Sequence, residues 1–412
     1  MAEIQLQNIG ENYLDSIEHT THQMVNWLNR LSQSTGINPP QFVHGGLLYW
    51  MGYTTTETDT YSSIPLRQAR QEAFHAIQDS NDITEKQSII QKEHERKRLT
   101  DELYAHHLIE VDTSYGTLGG QVSILNPNAE GPVTIIIPGS SNDPESAESG
   151  AVSIALLTGF KTIILGYPDA PNGKIKKEFI QAVIRDSYRA QESFRKDRNH
   201  GIPPTYEAYV EFFDKLIHSD AITSKLPKDG TFDLWSQSAG GAISAKLLTR
   251  EEYQKRVQNA VIANPAASST FSISSIELFL SGFKTAIAPF RPLHRFPRYT
   301  WWKDPRRPKQ SEDKKMKLSS WEALLLGSHF LIPQWQYIHT AKSIIVYSGG
   351  KDEATRSYDT FNSTSNGNND SIQVLFDPNA HHNTILTHPD ETIEKILSFQ
   401  ADILQNTRDN NS

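Results

Sequence analysis

From Leu108 onward the chain alternates short apolar runs with longer helix-like segments, and this alternation restricts the possible fold more than any other feature. The run GPVTIIIPGSS is rich in β-branched residues and ends at Pro-Gly, which is typical of a buried strand. Comparable runs occur in KTIILGYPDAPNG, GTFDLW, NAVIANPAAS, KSIIVYSGGKDEAT and SIQVLFDPNAHHN. Because these runs alternate with helical patterns, they predict an α/β fold with a mostly parallel central sheet flanked by helices.

The same patterns divide the chain into regions. Residues 1–107 are predicted to form a helical N-terminal extension, which includes the charged segment EKQSIIQKEHERKRLTDELYAHH. Residues 108–268 and 339–405 carry the strand–helix alternation and form the predicted core, in which AGGAISAKLLTREEYQKRV is predicted to be one helix. Residues 269–338 interrupt the alternation with aromatic residues, prolines and a basic cluster. This segment is therefore predicted to be an insertion between core strands.

Composition excludes several classes of chemistry. The 412 residues contain no cysteine, so disulfides, thiolate catalysis and zinc–thiolate sites are excluded. The formal net charge of −8 argues against a general role in nucleic-acid binding. No basic segment followed by an apolar run opens the chain, and no stretch approaches the roughly 18 apolar residues of a membrane span. The expectation is a cytoplasmic protein without a membrane span.

A serine between a strand-like run and a helix-like run is the first candidate for catalysis. Ser238, in WSQSAGG, fits the tight G-x-S-x-G bend, which needs small residues two positions before and after the nucleophile. Those positions hold Ser236 and Gly240, so the first is serine rather than glycine. The N-terminus of the following helix would stabilise negative charge at this point. Ser236 is the alternative nucleophile, but it occupies the small-residue position, and Ser238 is predicted.

An acid and a group of histidines follow the later strands. Asp352 comes after SIIVYSGG, where a carboxylate could accept a hydrogen bond from a histidine and stabilise the imidazolium. Asp377, in LFDPNAHH, is the alternative acid. Three histidines follow the last strand, namely His381, His382 and His388. The third lies in THPDE, the lead-in to the final helix. The first two therefore remain as candidate general bases.

An oxyanion formed at the serine would need two backbone N–H donors. Ala239, directly after the predicted nucleophile, is the first predicted donor. The second is predicted in the loop after VTIIIPGSS, at Ser140, with Gly139 and Ser141 as alternatives.

Residues from about 108 to 405 resemble the α/β-hydrolase superfamily in strand–helix order and in the chain order of serine, acid and histidine. The ending NAHHNTILTHPDETIEKILSF resembles the superfamily's usual ending, where the base precedes a His-Pro-acid sequence by six residues. That spacing separates His382 from His388 and favours His382 over His381 as the base. The SAGG sequence is similar to hormone-sensitive-lipase-like esterases, but PGSS stands where those proteins carry an HGGG-type motif. The resemblance therefore extends to the superfamily and to no subfamily.

This resemblance implies a serine hydrolase acting on a small-molecule carboxylic ester or related acyl compound. Ser238, Asp352 and His382 would form the catalytic triad and pass through an acyl-enzyme, with Ala239 and Ser140 in the oxyanion hole. Residues 269–338 would form a cap or lid, and no metal or organic cofactor is expected. Two alternatives remain: a catalytically silent scaffold that binds a ligand or partner, and a protein whose N-terminal helices dock a partner.

Overall fold

The structure, a computed structural model, describes most of the predicted core and one helix before it. The described residues are 83–139, 144–170, 173–183, 207–265, 337–350, 371–380 and 384–411, with single positions 335, 360, 364, 369 and 382. Residues 1–82 of the predicted N-terminal extension lie outside this part of the chain. The predicted insertion at 269–338 also lies outside it, except for Trp335, Tyr337 and Ile338.

The described strands form one eight-stranded sheet in the order β1-β2-β4-β3-β5-β6-β7-β8. They are β1 (His107–Thr113), β2 (Gly116–Leu125), β3 (Val133–Ile137), β4 (Lys161–Leu165), β5 (Phe232–Gln237), β6 (Val257–Ala263), β7 (Ser343–Gly349) and β8 (Ile372–Asp377). Strand β2 pairs antiparallel with β1 and β4, and all pairs from β4 to β8 are parallel. The predicted α/β fold with a mostly parallel sheet is confirmed.

Helices cover both faces of the sheet. They are α1 (Ile83–Tyr104), α2 (Glu148–Thr158), α3 (Glu207–Ile217), α4 (Asp220–Thr223), α5 (Ala239–Leu247), α6 (Glu251–Arg256), α7 (Thr384–Thr387) and α8 (Pro389–Asn411). Adjacent strand residues such as Ile135 and Ile136 belong to different hydrophobic cores, because side chains alternate between the faces of a sheet. Both faces are covered, and β3 (VTIII) and β7 (SIIVYSG) are accordingly mostly apolar. Among the helices described, none is both long enough and apolar enough to cross a membrane.

The prediction of a single helix for AGGAISAKLLTREEYQKRV is wrong, because this segment forms two helices, α5 and α6. The Thr249 hydroxyl donates a 2.7 Å hydrogen bond to the carbonyl of Lys246, and Arg250 has an extended backbone with φ −88° and ψ 132°. A hydroxyl that bonds to a nearby carbonyl offers the backbone an alternative to continuing the helix. The chain therefore leaves α5 and begins α6 one residue after this break.

Helix α1 packs with α2 and α8 in the hydrophobic core that includes Ile136, here called the second core, even though the sequence of α1 is highly charged. Leu99 and Leu103 are fully buried there. Arg96 is 2% exposed, and its Nη2 donates a 2.7 Å hydrogen bond to Asp390 of α8. The Ser153 hydroxyl of α2 donates a 2.5 Å hydrogen bond to the other carboxylate oxygen of Asp390. Three helices from distant parts of the sequence thus meet at one carboxylate.

The contacts of Asp390 with Arg96 and Ser153 should make the free energy of unfolding decrease at acid pH. Burial alone would raise the pKa of Asp390, but hydrogen bonding and the positive charge of Arg96 hold it at about 2, below its ordinary 3.8. A carboxyl group whose pKa is lower in the folded state stabilises that state at pH values above its pKa in the unfolded chain. This contribution is lost as the pH falls from about 4 to 2. Because Asp390 is partly exposed, we expect a loss of about 1 kcal/mol in the free energy of unfolding.

The measurement is urea unfolding between pH 2 and pH 5 for wild type and Arg96→Met. The wild-type curve should fall more steeply than that of Arg96→Met. Arg98→Met is the matched control, because Arg98 lies on the same helix but pairs at the surface with Glu95 and Glu102. Parallel curves for wild type and Arg96→Met would contradict the assignment.

Candidate active site

Ser238 lies on a sharp bend between β5 and α5. Its backbone has φ 53° and ψ −119°, a conformation that a residue other than glycine adopts only at a cost of about 1–3 kcal/mol. The N–H of Ser238 donates a 3.0 Å hydrogen bond to the carbonyl of Ala263 at the end of β6. The surrounding strands therefore hold a strained serine at the carboxyl edge of the sheet, where functional groups of α/β proteins collect.

The small residues around Ser238 are explained by close packing. A Cβ atom added to Gly240 would lie 2.2 Å from the carbonyl oxygen of Ile137, so only glycine fits there. Ser236 takes the position where the bend motif has its first glycine. It is 5% exposed, and its hydroxyl donates a 3.3 Å hydrogen bond to the carbonyl of Val261. The strand pairing thus accommodates this serine, whereas Ser238 is half-buried.

His382 lies beside Ser238. Its Nε2 is 3.0 Å from the Ser238 Oγ, a distance suited to proton transfer from the hydroxyl to a neutral imidazole. The backbone carbonyl of His382 accepts hydrogen bonds from Nδ2 of Asn264 at 2.9 Å and Nε2 of Gln237 at 3.3 Å.

Of the other two candidate histidines, His381 lies outside the described residues. His388 is exposed just before α8, and its N–H donates to the carbonyl of Thr384 at 2.8 Å.

The predicted acid Asp352 lies outside the described residues, but the turn just before it is described. The N–H of Gly350 donates a 2.7 Å hydrogen bond to the carbonyl of Asp377. A Cβ atom added to Gly349 would lie 2.4 Å from the carbonyl oxygen of Ala380, two residues before His382. The two glycines therefore allow the turn after β7 to pack directly against the loop that carries the histidine.

Asp377, the alternative acid, forms a different set of contacts. Its Oδ2 accepts hydrogen bonds from Nζ of Lys395 at 3.0 Å and from the hydroxyl of Tyr347 at 3.4 Å. Its Oδ1 accepts the N–H of Asn379 at 3.0 Å. Burial would raise the pKa of Asp377, but the Asn379 N–H and Lys395 lower it below its ordinary value. These contacts engage both oxygens of Asp377 and join β8 to α8.

One of the two predicted oxyanion donors is described. Ala239 is the first residue of α5 and is fully buried, and the first N–H groups of a helix have no partner within the helix.

The second predicted donor, Ser140, and its alternative Ser141 lie outside the described residues. Gly139 is buried, and the carbonyl of Pro138 before it accepts a 3.1 Å hydrogen bond from the hydroxyl of Tyr167. This contact anchors the start of the loop after β3.

The sequence pattern did not indicate a role for Asn264, which lies between the ends of β6 and β7 and the loop that carries His382. Its φ is 43°, and asparagine tolerates positive φ better than most residues. The available signal was the Asn-Pro pair immediately after a buried strand, a combination typical of turns. That signal predicts a turn but says nothing about the distant groups that the amide would reach.

Comparisons with known proteins support the architecture and leave the sequence relationship distant. No protein-family model matches the chain, and no curated protein matches it. An esterase from Exiguobacterium antarcticum is 14% identical, with 71% of this chain and 98% of that chain covered and a TM-score of 0.50. The enol-lactonase from Burkholderia xenovorans LB400 is also 14% identical, with 71% and 100% covered and a TM-score of 0.48. With the observed strand order and the strand–serine–helix bend, the chain has the α/β-hydrolase fold.

Proposed function

We propose that this protein is a serine hydrolase that cleaves a carboxylic ester or a related acyl bond. The observation that carries the proposal is the 3.0 Å contact between Ser238 Oγ and His382 Nε2, made by a serine on a strained bend. A strained backbone is retained where the surrounding structure enforces it, and such residues cluster at active sites. The name of the structurally similar esterase agrees with an ester substrate.

The proposed reaction begins when Ser238 Oγ attacks the acyl carbon and His382 Nε2 takes the hydroxyl proton. The carbonyl π electrons move to oxygen, and the N–H groups of Ala239 and Ser140 stabilise the resulting oxyanion. The intermediate collapses, the bond to the leaving group breaks, and the imidazolium returns its proton to that group. Water activated by His382 then hydrolyses the acyl-enzyme, which releases the acid and restores the Ser238 hydroxyl.

In this scheme Asp352 accepts a hydrogen bond from Nδ1 of His382 and stabilises the imidazolium. The assignment is supported by the packing of the Gly349–Gly350 turn against the histidine loop, because that turn leads to Asp352 within two residues. The contacts of Asp377 with Lys395 and Tyr347 argue against that alternative.

Taken alone, the missing first glycine of the bend would favour a catalytically silent scaffold. Ser236 fills that position with a hydrogen bond to the carbonyl of Val261, so the departure no longer argues for a disabled site. The remaining difference between the two functions is whether Ser238 reacts, and a chemical probe measures this directly.

We expect a small alkyl fluorophosphonate to label the wild-type protein at one serine, and we expect Ser238→Ala to lose this labelling. A small probe is chosen because it can enter beneath a cap. Ser236→Ala is the matched control, since it removes a nearby buried hydroxyl, and it should be labelled as wild type is. Labelling is followed by intact mass and the modified peptide is sequenced. Folded wild type that resists the probe would reject the proposed mechanism.

A further inference from the structure

Asn264 contacts both of the loops that the proposed site requires. It is 1% exposed, and its N–H donates a 2.8 Å hydrogen bond to the carbonyl of Tyr347 in β7. Its side-chain Oδ1 accepts the N–H of Gly349 at 2.9 Å, and its Nδ2 donates to the carbonyl of His382 at 2.9 Å. One side chain thus bridges the turn before the predicted acid and the backbone of the predicted base.

The chemistry of this bridge requires an amide. The turn at Gly349 presents an N–H donor, and His382 presents a carbonyl acceptor, so the bridging group must accept on one side and donate on the other. An asparagine amide does both, whereas an aspartate carboxylate only accepts. The residue must also tolerate a φ of 43°, which favours asparagine over longer side chains.

We propose that Asn264 is a positioning residue that fixes the backbone of His382 relative to the Gly349 turn, so that the imidazole faces Ser238. The inference rests on the proposed function and adds a residue that does not itself touch the substrate. Gln237 provides a second amide donor to the same carbonyl, at the longer distance of 3.3 Å. The bond from Asn264 is shorter, and the same Asn264 side chain accepts the Gly349 N–H in the turn after β7.

Two substitutions separate the parts of this role. Asn264→Gly removes both side-chain bonds and keeps a residue that adopts positive φ without strain. Asn264→Asp keeps an acceptor for the Gly349 N–H but places a carboxylate oxygen against the His382 carbonyl. The control is Asn259→Ala at the opposite end of β6, where the amide bonds to Asp233 at 2.8 Å and accepts the Ser343 hydroxyl at 2.9 Å. It removes an equally bonded asparagine far from Ser238.

The measurement is the time course of fluorophosphonate labelling, which gives a rate constant and a final labelled fraction, together with kcat and KM for an activated ester. Both Asn264 variants should label completely, at rate constants about 10- to 100-fold below wild type, because small displacements of a reacting group are costly. Their kcat should fall while KM stays unchanged. Asn259→Ala should keep the wild-type rate constant.

The outcomes distinguish this inference from the proposed function. Wild-type protein that does not label removes the function, and the inference with it. If wild type labels and the Asn264 variants label at its rate, the inference alone is overturned. It is equally overturned if the variants keep the wild-type rate constant but label a smaller fraction, because that result indicates fewer folded molecules and no loss of positioning.

Discussion

Replacing either Ser238 or His382 with alanine is expected to lower kcat for an activated acyl ester by about 10⁴- to 10⁶-fold. The serine supplies the attacking oxygen, and the histidine must remove its proton at the 3.0 Å contact. Because the two side chains act as one unit, the double variant should be no slower than the slower single variant. Steady-state kinetics of the two single variants and the double variant would measure this non-additivity.

His381→Ala is the matched control, since it removes the neighbouring histidine that the sequence alone left as an alternative. It should retain turnover within a few-fold of wild type, because in the proposed reaction His382 and not His381 takes the proton of Ser238. Loss of activity in His381→Ala with retention in His382→Ala would transfer the role of base to His381. Additive losses in the double variant would contradict a shared step.

The second large effect concerns helix α1. Leu103→Ala is expected to lower the free energy of unfolding by about 2–5 kcal/mol, because it leaves a cavity in a fully buried position. Ile90→Ala in the same helix is the matched control, since Ile90 is 40% exposed, and it should cost well under half as much. Urea unfolding followed by fluorescence measures both. Equal costs for the two variants would contradict the packing of α1 against the sheet.

Deleting residues 1–105 extends this test to the whole helix. Removing both Leu99 and Leu103 would subtract an amount comparable with the 5–15 kcal/mol that typically stabilises a domain, so the shortened chain should not fold. A deletion of residues 1–82 keeps every contact described for α1 and should unfold cooperatively. If instead the 1–105 deletion folds and hydrolyses esters, α1 would be a separable module of the kind expected for partner docking.

The central strands could be predicted from the sequence because their cause is local. A parallel strand covered on both faces is mostly apolar, and VTIII in β3 is the direct result. The bend at Ser238 could also be predicted from the sequence, because only small residues fit beside it. At Gly240, for example, an added Cβ atom would lie 2.2 Å from the carbonyl oxygen of Ile137. In both cases the residues that signal the structure are the residues that form it.

The contacts that the sequence did not reveal join residues far apart in the chain. Asn264 bonds to Gly349 and His382, which are 85 and 118 residues away, and no local pattern encodes either distance. The burial of one face of helix α1 also could not be predicted from the sequence, since a charged segment predicts a solvated surface. Its Arg96 is nevertheless buried, because Asp390 lies 294 residues later and neutralises it. Only the assembled fold brings such partners together.

The same ion pair has a consequence for how the protein is made. Helix α1 is synthesised before the sheet, whereas α8 is synthesised after all the described strands. Helix α8 supplies Ile393 and Ile396 to the second core and Asp390 to the ion pair with Arg96. At about 5–20 residues per second, the ribosome needs about 15–60 seconds to cover those 294 residues. During that interval α2 and β2 can already shelter Leu99 and Leu103, but the face that α8 will cover stays open. The second core is therefore completed only after α8 has been synthesised.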